Sequence, residues 1–216
     1  MIPLHDYLTF LSIVTLIVVS PGANLFLLLQ ATPNQGRLAG FLMTFGFAAA
    51  IMSHATLALV GVGALIMASA TLFSVIKLAG AAYLIWLGFK SFRAALTKTS
   101  VMLQPTGSRE VRPRMRGRHA FVRGYLTNIL NPKPAIFYVA AFPQFLSLDG
   151  AYWLGGFGLG ASHAVIALVY YSLVVVTLDQ TATWMRRPPV WKSIQGLSGF
   201  VFLLIGGRLL LARAPT

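Results

Sequence analysis

The chain has 216 residues, of which 57% are hydrophobic and only 10% charged, against about 25% charge in an ordinary soluble domain. This composition excludes a water-soluble surface and intrinsic disorder, and points to the lipid bilayer as the solvent. Cysteine is absent, which excludes disulfides, thiolate metal sites and cysteine nucleophiles; the four acidic residues (Asp6, Glu110, Asp149, Asp179) leave little for a carboxylate active site or a metal cage.

A membrane span needs about 20 apolar residues. In chain order the sequence predicts spans over 7–29, 40–65, 72–92, 121–146, 152–178 and 193–212. The first does not read as a cleaved signal peptide. Met1–Asp6 carries no Lys or Arg, and the apolar stretch runs past Pro21 to Leu29. The uncharged run 38–76 is too long for one span, so a turn is expected near Ala68–Thr71. Lys77 and Lys90 flank the third span and can snorkel. The fourth is interrupted by Asn131-Pro132-Lys133-Pro134. The expected fold class is therefore all-α, a polytopic integral membrane protein with six transmembrane helices.

Net charge is +13, and nine of the 17 basic residues fall between Lys90 and Arg123. That segment also holds Pro105, Gly107, Pro113 and Gly117 and has no interleaved aromatics before Phe121. It reads as a cytoplasmic loop held near anionic lipid headgroups, not as a nucleic-acid surface. The loops after spans 1, 3 and 5 hold 13 basic residues, whereas the opposite side holds Lys77, Arg208 and Arg213. The positive-inside rule then places both termini outside and the basic loop in the cytoplasm.

The halves resemble each other. Ser20-Pro21-Gly22-Ala23-Asn24-Leu25-Phe26 aligns with Asn131-Pro132-Lys133-Pro134-Ala135-Ile136-Phe137 at an offset of 111, and Ser53-His54 aligns with Ser162-His163 at 109. Leu78-Ala79-Gly80, then Leu84 and Gly88, aligns with Leu197-Ser198-Gly199, then Leu203 and Gly207, at 119. Three spans per repeat is an odd number, so the second copy would sit inverted, an arrangement typical of transporters. The expected organisation is a first three-helix repeat over 1–96, a basic loop over 97–120 and a second repeat over 121–216.

Proline costs about 3 kcal/mol inside a helix, because it removes a donor and clashes with the preceding turn. Pro21-Gly22 breaks span 1, and Pro132 and Pro134 break span 4. In lipid such breaks are tolerated where they line a cavity or are packed by protein, and half-helix ends suit the two charges of a zwitterion. A mid-membrane lysine costs roughly 2.5–3.5 kcal/mol on insertion scales. Lys133 is thus a candidate carboxylate partner, the alternative being snorkelling to the cytoplasmic interface. Asn24, Asn128 and Gln144 are candidates to hydrogen-bond a substrate, or to satisfy freed backbone groups. Gly61, Gly63, Gly80, Gly88, Gly155, Gly156, Gly158 and Gly160 are expected at close helix contacts.

These residues resemble the LysE/RhtB family of bacterial amino-acid exporters over nearly the whole chain outside the basic loop. Ser20-Pro21-Gly22-Ala23-Asn24 looks like the family's Pro-Gly-Pro-Asn element, with Ala23 in place of the second proline. Gly36-Arg37 and Gly40 are similar to its first cytoplasmic turn. Lys77-Leu78-Ala79-Gly80-Ala81-Ala82-Tyr83-Leu84 with Leu87-Gly88 matches its third span. Phe121, Gly124, Asn128, Asn131-Pro132-Lys133 and Phe142-Pro143-Gln144-Phe145 match its fourth. The resemblance implies efflux of amino acids or related small metabolites across the bacterial cytoplasmic membrane, driven by the proton motive force.

The expected transport site is Pro21, Gly22, Asn24, Asn128, Asn131, Pro132, Lys133, Pro134 and Gln144, with no catalytic residue, metal or cofactor. The titratable candidates for proton coupling are His54 and His163, which could equally be neutral side chains hydrogen-bonded between helices. Expected partners are an amino-acid-like substrate, protons and membrane lipids, with homo-oligomerisation left open. No Gly-x-x-x-x-Gly-Lys-[Ser/Thr] phosphate loop exists, which argues against ATP hydrolysis. The competing classes are a non-catalytic sensor or scaffold and an intramembrane enzyme. Ser53 and His54, like Ser162 and His163, are adjacent in sequence and would point about 100° apart on a helix, which is poor geometry for a nucleophile and its base.

Overall fold

The computed structural model describes residues 2–68, 70–97, 115–146, 152–178, 180 and 187–211. Among these there is no strand. Apolar side chains lie on every face of the long helices. On α3 (Arg37–Ala68), Met43, Phe47 and Ile51 are buried while Phe45, Leu57 and Val60 face outward. In hydrocarbon only such internally hydrogen-bonded segments are stable.

The first span is two helices, α1 (Leu4–Val19) and α2 (Ala23–Gln35), bent by 46° across Ser20-Pro21-Gly22. Gly36 ends α2 at φ +88°, the left-handed conformation that favours glycine, and its N–H bonds the Thr32 carbonyl. Then come α3 and α4 (Ala70–Leu96), whose junction falls inside the expected turn at Ala68–Thr71. The fourth expected span is a succession of short pieces: α5 (Gly117–Ile129), α6 (Pro132–Ile136), a π-helical turn (Phe137–Ala141) and a 3-10 turn (Phe142–Phe145). The chain ends with α7 (Tyr152–Val176) and α8 (Pro188–Leu211).

Among the described residues, four helical stretches are long and apolar enough to cross a membrane: Arg37–Gly61, Ser74–Leu96, Tyr152–Val176 and Pro189–Leu211. The bent α1–α2 pair makes five when counted as one span. The 121–146 segment is not a continuous span-length helix, because Asn131 to Pro134 stop the helical ladder in its middle. Most of the basic loop, together with Asp149, Asp179, Trp184 and Arg186, lies outside the described residues.

Small residues set the crossings. A Cβ on Gly46 would strike the Phe121 carbonyl, and one on Gly124 would strike the Met43 carbonyl, so α3 and α5 meet backbone to backbone. A Cβ on Gly156 would meet Leu59 and one on Gly160 would meet Ala55, which makes α7 antiparallel to α3. A Cβ on Gly88 would lie 3.0 Å from the Gly199 carbonyl oxygen, and one on Gly199 would lie 2.9 Å from that of Gly88. Together with the contact of Gly206 on Ala81, this makes α8 antiparallel to α4. Gly61 and Gly158, also expected at contacts, have nothing within 4 Å among the described residues.

Two polar ties fix one end of the bundle. Gln35 Oε1 accepts from the Met115 backbone N–H, and Arg37 donates to the Val176 carbonyl at 3.2 Å. The end of α2, the approach to α5 and the end of α7 are thereby gathered on the side where Arg37, Arg116, Arg118 and Arg187 lie.

Candidate transport site

The first break frees the last carbonyls of α1, which have no helical donor beyond them. Side chains satisfy two of these and the two carbonyls of the break itself. Tyr171 donates its hydroxyl to the Val18 carbonyl at 3.2 Å, and Tyr170 reaches that of Val19 at 3.5 Å. Lys133 Nζ donates to the Ser20 carbonyl at 3.1 Å, to Ser20 Oγ at 3.1 Å and to the Pro21 carbonyl at 3.2 Å. The ammonium also sits 5.8 Å from the centre of the Phe202 ring. Lys133 therefore does not snorkel to an interface. It crosses from the second break to the first.

The second break presents that lysine. Asn131 caps α6 by accepting from the Lys133 backbone N–H at 3.1 Å, and Pro132 follows at the first helical position, where no backbone donor is needed. Gly22 lies directly opposite: a Cβ there would stand 3.0 Å from Lys133 Nζ. The absence of that atom lets the ammonium reach the first break.

Between the breaks lies a cavity of about 20 Å³. Ser20, Gly22 and Asn24 line one wall, Asn128, Asn131, Lys133 and Pro134 another, and Ile17, Val18, Ile51, His163 and Tyr171 close it. Space of this size holds a water molecule or so and not an amino acid. Asn24 and Asn128 form a buried amide pair: Asn24 Nδ2 donates to Asn128 Oδ1 at 3.1 Å, and Asn128 Nδ2 donates to the Phe47 carbonyl at 2.8 Å.

The two histidines both contact one tyrosine. Tyr138, in the π-helical turn, stacks on His54 (ring centres 5.9 Å apart, planes at 13°) and on its other neighbour His163 (5.7 Å, 12°). Its hydroxyl is 3.1 Å from His163 Nδ1. His54 Nε2 is 3.2 Å from the Asn128 carbonyl, which can only accept, so that nitrogen bears the proton. The adjacent serines do not pair with either histidine. Ser53 Oγ bonds Tyr125 and the Ala49 carbonyl, and Ser162 Oγ bonds Tyr7 and the Gly158 carbonyl. A serine–histidine nucleophile pair is therefore not formed at either position.

A family model for the LysE type translocator matches residues 15–213, nearly the full length of the chain. The chain belongs to the LysE type translocator family. It is 32% identical to a homoserine/homoserine lactone efflux protein of Salmonella typhimurium over 92% of this chain and 93% of that protein. It is 30% identical to the uncharacterized membrane protein YrhP of Bacillus subtilis, covering 94% of this chain and 97% of the other. The threonine efflux protein of Escherichia coli K12 is 28% identical over 96% of this chain and 98% of its own length. No solved structure matches the chain.

In this LysE type translocator the structure brings Gly22, Asn24, Asn128, Asn131, Lys133 and Pro134 to one cavity and adds the Pro21 carbonyl as a ligand of Lys133. Pro132 is exposed at the start of α6, outside the lining. Gln144 is exposed in the 3-10 turn and also lies outside it. His163 lines the cavity, while His54 lies outside the lining and stacks on Tyr138. Sequence reasoning missed Ser20, Tyr138, Tyr170 and Tyr171. Tyr171 could have been found, since it lies eight residues after His163, two turns along one helix and about 80° away from it.

Proposed function

We propose that this translocator is a secondary exporter of amino acids or closely related small metabolites, working by alternating access in the bacterial cytoplasmic membrane. The observation that carries the reading is Lys133: a half-buried lysine whose ammonium bridges two helix breaks beside a small polar cavity. A charge in that position is costly unless it has a use, and intramembrane ionisable groups commonly mark substrate pathways. The efflux functions of the Salmonella typhimurium and Escherichia coli relatives, for homoserine or its lactone and for threonine, support the same class.

The chain forms six spans, α1–α2 being the first and the broken 117–145 segment the fourth, arranged as two inverted three-helix repeats. Counterpart helices support this: α3 packs antiparallel on α7, and α4 on α8. Counterpart residues support it too. Ser53 and Ser162 each bond a tyrosine of a broken span, and His54 and His163 both stack on Tyr138. Both termini face outward, and the basic loop and the end bearing Arg37 face the cytoplasm, in keeping with the positive-inside rule. Rocking of one repeat against the other would separate the breaks on alternate sides and widen the cavity.

The proton motive force supplies the energy. One net charge moved through 100 mV is worth about 2.3 kcal/mol, close to a fifty-fold gradient. His163 in the cavity wall and His54, outside the lining, are the proton-coupling groups of this reading, and Asn24, Asn128, Asn131 and Lys133 form the substrate wall. The test is efflux from vesicles reconstituted with the full chain and loaded with labelled amino acids. Efflux that exceeds protein-free vesicles and rises with an imposed proton gradient supports the reading; flux equal to the control overturns it.

A further inference from the structure

We propose that α1 is the outer gate of this translocator: it swings as a lever about Ser20-Pro21-Gly22, with Phe10 as its plug and the Tyr7–Ser162 bond as its latch, while α3, α5 and α7 stay together as a frame. The inference rests on the alternating-access reading above and assigns the outward opening to one half-helix.

The first observation is how differently these helices are held. α3 meets α5 backbone to backbone at Gly46 and Gly124, and Gly156 and Gly160 bring α7 onto Leu59 and Ala55 of α3. The α3–α7 pair is also tied at both ends. Tyr152 donates its hydroxyl to the Leu59 carbonyl at 2.9 Å, and Arg37 donates to the Val176 carbonyl at 3.2 Å. Backbone crossings of this kind part only when whole helices separate. α1 has no glycine between Leu4 and Val19, so it meets its neighbours through side chains, which can change rotamer.

The second observation is where α1 is held. Next to the break, Tyr170 and Tyr171 donate to its last carbonyls, those of Val19 and Val18. The helix then lapses until α2 begins at Ala23, and a few residues between elements suffice to absorb a hinge rotation. Toward the other end, Tyr7 Oη lies 2.9 Å from Ser162 Oγ on α7. Ser162 donates its one proton to the Gly158 carbonyl, so Tyr7 is the donor to Ser162. The lever is thus pinned at the hinge and latched near its tip.

Phe10 lies between latch and hinge, three residues after Tyr7 on the same face of the helix. It is buried among Phe137, Phe142 and Phe145, with ring centres 5.9, 6.1 and 5.4 Å away. Two helical turns separate Phe10 from Ile17, which lines the cavity, so the aromatic cluster stands about 10 Å outward of the cavity wall. Withdrawing Phe10 from those rings opens a way from the outer side to Ile17 and Val18. Lys133 holds the hinge itself, through the Ser20 and Pro21 carbonyls, so a change at the cavity reaches the gate through the lever.

The experiment is the labelling rate of Ile51→Cys in the otherwise cysteine-free full chain, in sealed, oriented vesicles, with a membrane-impermeant maleimide offered to one side at a time. Leu4→Cys, exposed at the start of α1, marks the side on which α1 begins. We expect Tyr7→Phe to raise labelling from that side roughly two- to tenfold, the effect of one lost hydrogen bond on a two-state equilibrium. Phe10→Ala should raise it at least about tenfold. Labelling from the opposite side should stay level or fall. Tyr152→Phe, which removes a tie of the frame, should leave both rates level. No rise with Tyr7→Phe, equal rises from both sides, a rise confined to the opposite side, or an equal rise with Tyr152→Phe overturns the gate and leaves the exporter reading standing. A thiol that reacts from neither side in any variant, with or without substrate, in folded and inserted protein, overturns the alternating-access reading itself.

Discussion

Lys133 donates to both oxygens of Ser20, 113 residues before it in sequence, and so joins the two helix breaks. The contact makes each break the solution to the other's problem. The first has carbonyls without helical donors, and the second has a cation with no carboxylate beside it among the described residues. Substituting Lys133→Gln should therefore lower stability as well as transport. Each carbonyl left without a donor costs about 1–3 kcal/mol. The fall should appear as a lower unfolding temperature in detergent, and an unchanged temperature would mean the bridge is not structural.

The crossing of α3 and α5 makes a sharper steric prediction. Gly46→Ala or Gly124→Ala places a methyl against the facing backbone, which cannot swing aside as a side chain can. Overpacking of this kind costs about 1–3 kcal/mol or more. Gly158→Ala is the control, because nothing among the described residues lies within 4 Å of its added methyl. Yield of monodisperse protein should drop for the first two variants and stay level for the third.

Those glycines also show what the sequence could convey. Pro21-Gly22 and Asn131–Pro134 announce themselves, since proline interrupts a helix whatever surrounds it, and most of the proposed cavity wall followed from them. The long apolar spans were equally readable, as was the turn before α4. Gly46 and Gly124 were not, because a glycine becomes a crossing point only through the rotation of two helices about their axes. Tyr138 was hidden for a similar reason: the π-helical turn resets which face it occupies. Gln144 looked polar enough for the cavity, yet the same short turns carry it outward. The fourth segment read as one span, but its prolines divide it into pieces too short to count as a continuous helix.

The stack of His54, Tyr138 and His163 bears on coupling. In the double variant His54→Gln, His163→Gln, efflux should lose its dependence on pH while some exchange persists. The check is exchange and net efflux across a range of pH in the same vesicles. An unaltered pH profile would assign the histidines a purely structural part.

Tyr171 offers a milder test. Tyr171→Phe keeps the buried ring, which packs on Phe47 at 5.1 Å, and removes only the donor to the Val18 carbonyl. A loss of about 0.5–1.5 kcal/mol is expected, seen as a modest fall in unfolding temperature. Transport should weaken further than stability does, because the released carbonyl faces the cavity region.

The absence of native cysteine allows the most direct examination of the cavity. Ile51→Cys places one thiol in its wall, and a membrane-impermeant maleimide can be offered from either side of sealed, oriented vesicles. The account predicts labelling from each side, with a transported amino acid changing both rates. A thiol that stays unreactive from both sides, with and without substrate, in protein that is folded and inserted, would contradict a cavity that opens alternately to the two faces.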